Sequence, residues 1–214
     1  MKEFFTIKEN IETEIVEKRS RFIANIFYVE SKEEAQEKVQ EIRKKYYDAR
    51  HNCYAYSVVE NNNVVQKSSD DGEPSGTAGE PILNVINKNK LQNVIIIVTR
   101  YFGGVLLGAG GLIRAYSNAS INVVKMSKII KQEEGIIVTI QIKYQDSENF
   151  KYYCLKNNIN IVKAEYGENI KYIIELNEEE YKKIKEFKRA KNDNFKVNII
   201  DIQEKGRKYK NVKV

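Results

Sequence analysis

The chain has 214 residues, enough for one large domain or two small ones that each bury a core. Its net charge of +6 is a mild basic excess without a dense basic block, which permits weak attraction to nucleic acid or acidic partners but is also typical of an ordinary lysine-rich surface. The N-terminus lacks the apolar core of a signal peptide and no apolar run approaches the ~20 residues that span a bilayer, so we expect a cytoplasmic protein without membrane contact.

The first predicted elements are a strand and a helix. Residues 21–29 (RFIANIFYV) are β-branched and aromatic, as in a strand, and residues 31–34 (SKEE) have the spacing of a helix capping box. The helix is predicted to end near Tyr47. Its apolar side chains recur every three or four positions and should pack on a sheet. They are Ala35, Val39, Ile42 and Tyr46.

A hairpin and a short helix are predicted next. Residues 52–60 and 64–68 are strand-like and flank residues 61–63 (NNN), where Asn tolerates the positive φ of a tight turn. For the helix, residues 77–80 (TAGE) have capping-box spacing, but this start leaves Pro81 deeper in the first turn than proline favours. We therefore expect Pro81 at the first helical position, with Ile82, Leu83 and Ile86 facing inward.

A central strand and a second long helix complete the first half. Residues 94–98 (VIIIV) are apolar on both faces, which is typical of a strand covered on both sides. Gly110 and Gly111 are predicted to lead into a helix whose apolar stripe opposes Arg114, Asn118 and Asn122. The stripe comprises Leu112, Ala115, Tyr116, Ala119 and Val123.

The second half changes style after a charged segment, residues 128–135 (KIIKQEEG), so we expect domains at 1–130 and 135–214. A strand at 136–144, a helix capped by Ser147, a hairpin at 161–176 turning at Gly167 and a helix at 178–191 are predicted, with a closing strand at 196–202. This βαββα order with a last strand is ferredoxin-like. The fold class expected for the whole chain is α+β, and Cys53 and Cys154, in separate domains, should be free thiols.

Residues 70–116 hold both prolines and eight of the eleven glycines, and they are the candidate functional region. Two loops, at 70–81 and 102–111, flank the predicted central strand, so their residues should converge in space. The second loop joins a strand to a helix N-terminus, where free N–H groups and the helix dipole favour an anion. The anion or nucleic-acid candidates are Arg100, Tyr101, Phe102, Gly103, Gly104, Gly108, Gly110, Gly111 and Arg114.

The known phosphate fingerprints fail in this loop. Gly103 and Gly108 have P-loop spacing, but Ala109 and Gly110 stand where Lys and Ser or Thr are required, and Ile113 replaces the third dinucleotide glycine. ATP hydrolysis and NAD binding are therefore not expected. The alternative is that the glycines only let the helix pack tightly against the strand.

The first loop brings four carboxylates, Asp70, Asp71, Glu73 and Glu80, close to hydroxyl side chains. Such a group suits Mg²⁺ or an acid and base pair, but capping and turn formation is the simpler role, and pairing with Arg100 and Arg114 is a third. The loop candidates are His51, Asp70, Asp71, Glu73, Ser75 and Thr77. One His and two distant Cys cannot form a four-ligand zinc site, and neither a metal nor a cofactor is expected.

The sequence also offers residues for a Cys–His dyad and for the stacking of nucleobases. His51 and Cys53 share a strand face, but neither shows a third residue that would orient a catalytic dyad, so a structural strand histidine is expected. Aromatic side chains near the candidate region could stack nucleobases of single-stranded RNA, although most such residues belong to cores. They are Tyr54, Tyr56, Tyr101, Phe102 and Tyr116.

At residues 70–79 (DDGEPSGTAG), 100–104 (RYFGG) and 108–112 (GAGGL) the sequence resembles the IMPACT family and its bacterial YigZ-like members. The match extends through 50–56 (RHNCYAY), and the βαββα tail is similar to the bacterial C-terminal domain of the family. The resemblance implies a first domain like domain 2 of ribosomal protein S5 and the fourth domain of elongation factor G. It also implies a ferredoxin-like second domain similar to that factor's fifth.

Eukaryotic members of this family regulate translation initiation by binding the activator of a starvation-responsive kinase through an additional N-terminal domain. This chain starts almost at the shared domain, so that kinase role is not expected here. The resemblance instead implies association with RNA, the ribosome or a protein partner of translation, and the family has no agreed enzyme activity. The sequence does not indicate an oligomeric state.

Three hypotheses follow. The first is a cytoplasmic, translation-associated binding and regulatory protein that contacts RNA or a ribosomal component through the glycine-rich loop face. The alternative is a small hydrolase or phosphate-handling enzyme that uses the carboxylates at 70–80. The third is a scaffold whose two loops are purely structural.

Overall fold

A computed structural model gives the fold, and it describes residues 3–60, 63–190, 197 and 199–211. The chain divides into two compact units, Glu3–Lys131 and the part from Gln132 onward. Each unit combines a β-sheet with helices, so the predicted α+β class with two domains is confirmed. Within the described ranges, no helix is both long enough and apolar enough to cross a membrane.

The first unit is built on a five-stranded antiparallel sheet. The strands in this part of the chain are β1 (Glu3–Ile7), β2 (Ile11–Glu17), β3 (Ser20–Tyr28), β4 (His51–Glu60), β5 (Asn63–Ser69) and β6 (Val94–Tyr101), of which the last five form the sheet. The sheet order is β2-β3-β6-β4-β5, with β1 outside it. β6 lies at the centre and is buried from Val94 to Arg100, which confirms the predicted central strand. β1 and β2 were not predicted, and the turn predicted at residues 61–63 lies partly outside the described residues.

Helices cover both faces of this sheet. They are α1 (Lys32–Lys45), α2 (Gly79–Lys88) and α3 (Gly108–Met126). The predicted stripe of α1 packs with Ile95 and Ile97 on one face, whereas α2 and α3 pack with Ile96 and Val98 on the other. Because strand side chains alternate, β6 serves both cores, and each buried aliphatic side chain stabilises the fold by about 1.5–3 kcal/mol.

α1 begins after Ser31 as predicted, whereas α2 and α3 begin at residues other than those predicted. Ser31 Oγ accepts the Glu34 N–H at 3.1 Å, but the Glu34 carboxylate accepts from the Glu30 N–H rather than completing a capping box. α2 starts at Gly79, so Pro81 is its third residue, and the expected start at Pro81 is wrong. α3 starts at Gly108, and Gly110 and Gly111 lie inside it, not before it.

The second unit has the ferredoxin-like topology. Its elements are β7 (Ile129–Ile142), α4 (Ser147–Lys156), β8 (Asn160–Tyr166), β9 (Ile170–Leu176), α5 (Glu178–Ala190) and β10 (Ile199–Asn211). The order β8-β9-β7-β10 is antiparallel throughout, so the chain follows the βαββαβ path of that fold. Phe150 and Tyr172 lie at the centre of its core.

Three details of the second unit correct the prediction. β7 begins at Ile129 rather than at residue 136, so the charged segment 128–135 is mostly strand, and the division between the units falls inside it. Ser147 does not cap α4, because its hydroxyl is hydrogen-bonded to the Tyr172 hydroxyl at 2.8 Å. The closing strand runs from Ile199 to Asn211 instead of 196–202, and residues 196 and 198 lie outside the described residues.

Candidate functional site

The strands of the first unit's sheet begin or end at a common end of the sheet, where five strand termini lie side by side. β2 and β6 end there, β3 and β4 begin there, and β5 ends there, because all neighbours are antiparallel. In the register, Arg100 stands between Phe22 on one side and His51 on the other. The turn at residues 18–19 and the loops at 70–78 and 102–107 leave from these ends. We call this region the loop edge.

Asp70 caps the N-terminus of α2 although it lies nine residues before the start of that helix. Its Oδ1 accepts the N–H groups of Ala78 and Gly79 at 2.9 and 2.8 Å, and its Oδ2 accepts that of Gly76 at 2.8 Å. Burial alone would raise the pKa of this carboxyl, but the three backbone donors outweigh it and lower the pKa. Asp70 is therefore a structural carboxylate, which satisfies donors that the uncapped start of α2 would leave free.

Asp71 ties the same loop to β4 and α1. One carboxylate oxygen accepts from Arg43 Nη2 at 2.5 Å, and the other accepts the Asn52 N–H at 2.7 Å. Its carbonyl oxygen lies 2.9 Å from His51 Nδ1. The carboxylate proposed as an acid or metal ligand thus has two partners already.

Glu73 lies at the centre of a buried network. Its Oε1 accepts from Arg100 Nη1 at 2.7 Å and from the Tyr116 hydroxyl at 2.8 Å. Cys53 Sγ lies 3.3 Å from the Tyr116 hydroxyl oxygen. The side chains of Glu73 and Arg100 are only 4% and 7% exposed, so this is a buried ion pair that joins the first loop to β6.

Arg100 is consequently not a free anion donor. Its guanidinium carbon stands over the rings of Phe22 and Phe102, 5.6 and 5.5 Å from the centroids. Within the described residues its buried Nε has no hydrogen-bond partner. The predicted pairing of loop carboxylates with arginines therefore holds for Arg100 and Glu73, whereas the expected phosphate contact by Arg100 would require breaking that pair.

The His51 and Cys53 side chains do not form a dyad. Cys53 Sγ faces the Asp70 carbonyl oxygen at 2.9 Å as well as Tyr116, while His51 turns to the Asp71 carbonyl. Burial raises the pKa of the Cys53 thiol far above its ordinary value, and burial likewise raises that of Tyr116. Cys53 is thus a protonated core thiol, and Cys154 is also free and buried.

The remaining loop candidates play smaller parts. The buried Thr77 donates its hydroxyl to the Pro74 carbonyl at 2.6 Å, whereas Ser75 and Glu80 are exposed. Among the residues that the structure describes, no group of three His, Cys, Asp or Glu side chains has a metal-binding arrangement. The carboxylates of this loop mostly organise its backbone.

The glycine-rich loop is pressed against the β2–β3 turn. A Cβ on Gly103 would lie 2.0 Å from the carbonyl carbon of Arg19, and the Gly103 N–H donates to Ser20 Oγ at 3.1 Å. Gly104 and Gly108 have φ of +81° and +70°, and Gly76 in the first loop has φ of +74°, so a side chain at any of these positions would be strained. Only glycine fits at position 103.

The N-terminus of α3 carries no side-chain cap and no acidic residue in its first turn. Gly108, Ala109 and Gly110 are exposed there. Arg114 lies in the second turn of α3, and its Nη1 is 3.7 Å from the position that a Cβ on Gly110 would take. An exposed cation therefore lies near a helix N-terminus, where backbone N–H groups and the helix dipole favour an anion.

The loop edge also exposes apolar surface. Phe102 is 56% exposed and Leu106 is 83% exposed, beside the partly covered Val105. Tyr101 is different, because its hydroxyl donates to Asp48 at 2.7 Å, a bond that raises its pKa to about 12. Of the predicted aromatic residues, Phe102 is thus the one most available for stacking, since Tyr54, Tyr56 and Tyr116 are buried.

Sequence reasoning missed three cations at the loop edge, Lys18, Arg19 and Arg50. All are exposed, and among the described residues neither these three nor Arg114 takes part in an ion pair. The sequence feature that could have identified Lys18 and Arg19 is their position as a two-residue connection between the alternating polar and apolar residues 11–17 and the strand that begins at residue 20. The partnership of Cys53 and Tyr116 with Glu73 was also missed, because no spacing in the sequence shows it.

The fold and the loop edge define a two-domain α+β protein whose first unit presents a cation-bearing loop surface. Residues 18–124 match the Impact N-terminal domain, and residues 140–187 match a domain of unknown function, DUF1949. The IMPACT family member YvyE of Bacillus subtilis is 39% identical over 177 residues, covering 83% of this chain and 81% of that protein. The chain belongs to the IMPACT family.

Two further comparisons agree with this membership. The family member YigZ of Escherichia coli is 34% identical over 128 residues, 59% of this chain and 63% of that protein. The crystal structure of a hypothetical protein matches with a TM-score of 0.64 and 25% identity, covering 95% of this chain and 98% of that one. The resemblance to bacterial YigZ-like members is therefore confirmed.

Proposed function

We propose that this protein is a translation-associated regulatory protein that binds RNA or a ribosomal component through the loop edge. One observation carries the proposal. Asp70, Asp71 and Glu73 are engaged in caps and ion pairs, whereas Arg50, Arg114 and the apolar Phe102 and Leu106 are exposed. Membership in the IMPACT family supports the connection to translation.

Binding without chemistry agrees better with the loop contacts than hydrolysis does. A general base needs a carboxylate or imidazole that can reach a substrate proton, but Asp70, Asp71 and Glu73 each hold at least two internal donors. A thiol nucleophile needs a lowered pKa, and burial does the reverse at Cys53. The rigidity that these contacts produce suits a preformed binding surface.

RNA is the partner whose chemistry fits this surface. Phosphate groups suit the N-terminus of α3 and the Arg114 guanidinium, and an unstacked base suits the exposed face of Phe102. Arg100 contributes by supporting the Phe102 ring from beneath rather than by touching phosphate. A protein component of the ribosome is the second partner that this mixed apolar and cationic surface accommodates.

The test is binding of fluorescent single-stranded RNA and of purified ribosomes across a salt series. We expect affinity to fall with salt, and Arg114→Ala to lower the salt slope by about 0.7 for one lost phosphate contact. Phe102→Ala should weaken RNA binding by about 1–3 kcal/mol if one base stacks on the ring. Lys88→Ala, which removes an exposed cation from the last turn of α2, is the matched control.

Two outcomes would refute this proposal. One is a folded wild-type protein that binds neither RNA nor ribosomes at low salt. The other is binding that the control variant weakens as much as Arg114→Ala does, because the attraction would then come from net charge and not from the loop edge.

A further inference from the structure

The β2–β3 hairpin ends in a turn of only two residues, Lys18 and Arg19. Glu17 and Ser20 are paired in the ladder, so these two residues make the whole connection. Both have positive φ, 46° and 66°. This is the backbone of a type I′ turn, which strongly favours Asn followed by Gly because a side chain crowds the backbone at positive φ.

The choice of Lys and Arg therefore opposes the local backbone preference. Long side chains at two successive left-handed positions weaken the fold relative to Asn and Gly. Both side chains are exposed, so packing does not compensate. A strained conformation with exposed cations at its tip indicates a role other than folding.

The glycine-rich loop holds this turn in place. Gly103 approaches so closely that an added Cβ would lie 2.0 Å from the Arg19 carbonyl carbon, and its N–H is bound by Ser20 Oγ. The contacts use backbone atoms of Arg19, which leaves its guanidinium outside. The glycine-rich loop thus supports the turn through Gly103, the residue that follows the exposed Phe102 in the chain.

Lys18 and Arg19 differ from the other arginine of the hairpin in their side-chain contacts. The neighbouring Arg21 is held by Glu14 through two hydrogen bonds of 3.0 and 2.9 Å. Within the part of the chain that the structure describes, neither Lys18 nor Arg19 forms an ion pair or a hydrogen bond through its side chain. Arg19 offers a forked pair of donors and Lys18 a mobile point charge, a combination suited to phosphate oxygens.

We propose that Lys18 and Arg19 form a phosphate-binding tip that contacts the backbone of an RNA strand lying along the loop edge. This inference rests on the proposed function and names two contacts that deepen it. The strained turn places both charges at the tip of the hairpin, and the close contact with Gly103 supports the backbone that carries them. Phosphates of the strand would contact the tip while a base reaches Phe102.

The experiment replaces the tip by the residues that the turn prefers, in the double variant Lys18→Asn/Arg19→Gly. The full-length variant should have a higher Tm, because the strain is relieved and the backbone contact with Gly103 is kept. Its affinity for fluorescent single-stranded RNA should fall about tenfold or more at 0.1 M salt, and the salt slope should fall by about 1.4 for two lost contacts.

The matched control is Lys88→Gln/Lys90→Asn, which removes the same charge at the opposite end of the sheet. Lys90 is also an exposed cation at positive φ, 53°, so the control includes a comparable backbone change. The control should keep the wild-type affinity and salt slope. Equal losses in both double variants would overturn the proposal, since the effect would then follow net charge alone.

The outcomes separate this inference from the function on which it depends. If wild-type protein binds RNA, Arg114→Ala weakens it, and the tip variant binds as tightly as wild type, the tip proposal fails and the proposed function stands. If folded wild-type protein binds no RNA, both fail. A tip variant that is more stable and yet binds RNA more weakly supports the tip proposal.

Discussion

The Arg100–Glu73 pair shows how a residue that resembles a ligand donor serves the fold instead. Both side chains are almost fully buried, and Glu73 also holds the Tyr116 hydroxyl. A buried pair of this kind stabilises little beyond what apolar side chains would, but removing one partner leaves a charge in the interior. The pair instead holds the first loop in place, because it connects Glu73 in that loop to Arg100 in β6, 27 residues further along the chain.

Glu73→Ala should therefore destabilise the protein by about 3–5 kcal/mol, since Arg100 would keep a buried charge without a partner. The measurement is urea-induced unfolding followed by circular dichroism. Glu14→Ala is the control, because the Arg21–Glu14 pair has similar distances but is 52% and 40% exposed. That exposed pair should contribute only about 0–1 kcal/mol. Equal, small losses in both variants would contradict the buried-pair interpretation.

Asp70 should make stability depend on pH in the acid range. Its folded-state pKa is below its ordinary value of 3.8, so its contribution is complete above that value and is lost as the pH falls through the folded-state pKa. Asp70→Asn removes this titration, and its free energy of unfolding should change less between pH 5 and lower pH than that of wild type. Urea titrations at several pH values measure both profiles. Parallel profiles would show that Asp70 is not the responsible carboxylate.

At the scale of whole elements, burial was predictable and boundaries were not. The apolar composition of residues 94–98 predicts a strand covered on both faces. The spacing of the apolar residues in α1 predicts which side of that helix packs on the sheet. The start of α2 could not be read this way. Its cap comes from Asp70, eight and nine residues before the bonded N–H groups, whereas capping signals in sequence rely on spacings of three.

The candidate region shows the same division. Glycine and proline density identified the two loops, but the sequence could not distinguish the buried Arg100 from the exposed Arg114. That difference depends on whether a distant carboxylate reaches the guanidinium, and only the folded chain brings Glu73 there. The half-buried β2, in which Glu alternates with Ile and Thr, was missed because its apolar signal is weak.

Three glycines of the second loop should respond differently to alanine. Gly103→Ala should cost about 3 kcal/mol or more, because the new Cβ meets backbone that cannot easily move. Gly104→Ala should cost about 1–2 kcal/mol from its left-handed backbone alone, as nothing lies within 4 Å of the new atom. Gly110→Ala, inside α3, should stabilise by about 0.5–1 kcal/mol. Chemical denaturation of the three variants tests this order, and similar values would contradict the close contact at Gly103.

At the scale of the whole molecule, the described residues form separate hydrophobic cores. Two cores flank the sheet of the first unit and share β6, so they should unfold together. The third core belongs to the second unit and has no residue in common with the others. Cooperativity follows shared packing, so the chain should contain two cooperative folding units.

Calorimetry should therefore resolve two unfolding transitions, and matched core truncations should identify them. Phe22→Ala in the first unit and Phe150→Ala in the second each remove a fully buried ring, at a cost of about 3–5 kcal/mol. Each variant should lower the midpoint of one transition and leave the other in place, because the lost contacts lie within one core. If both variants instead shifted a single common transition, the two units would have to unfold as one. Selective shifts would also allow the stability of the first unit, which carries the loop edge, to be measured separately from that of the ferredoxin-like unit. The variants made for the binding experiments need this separate measurement.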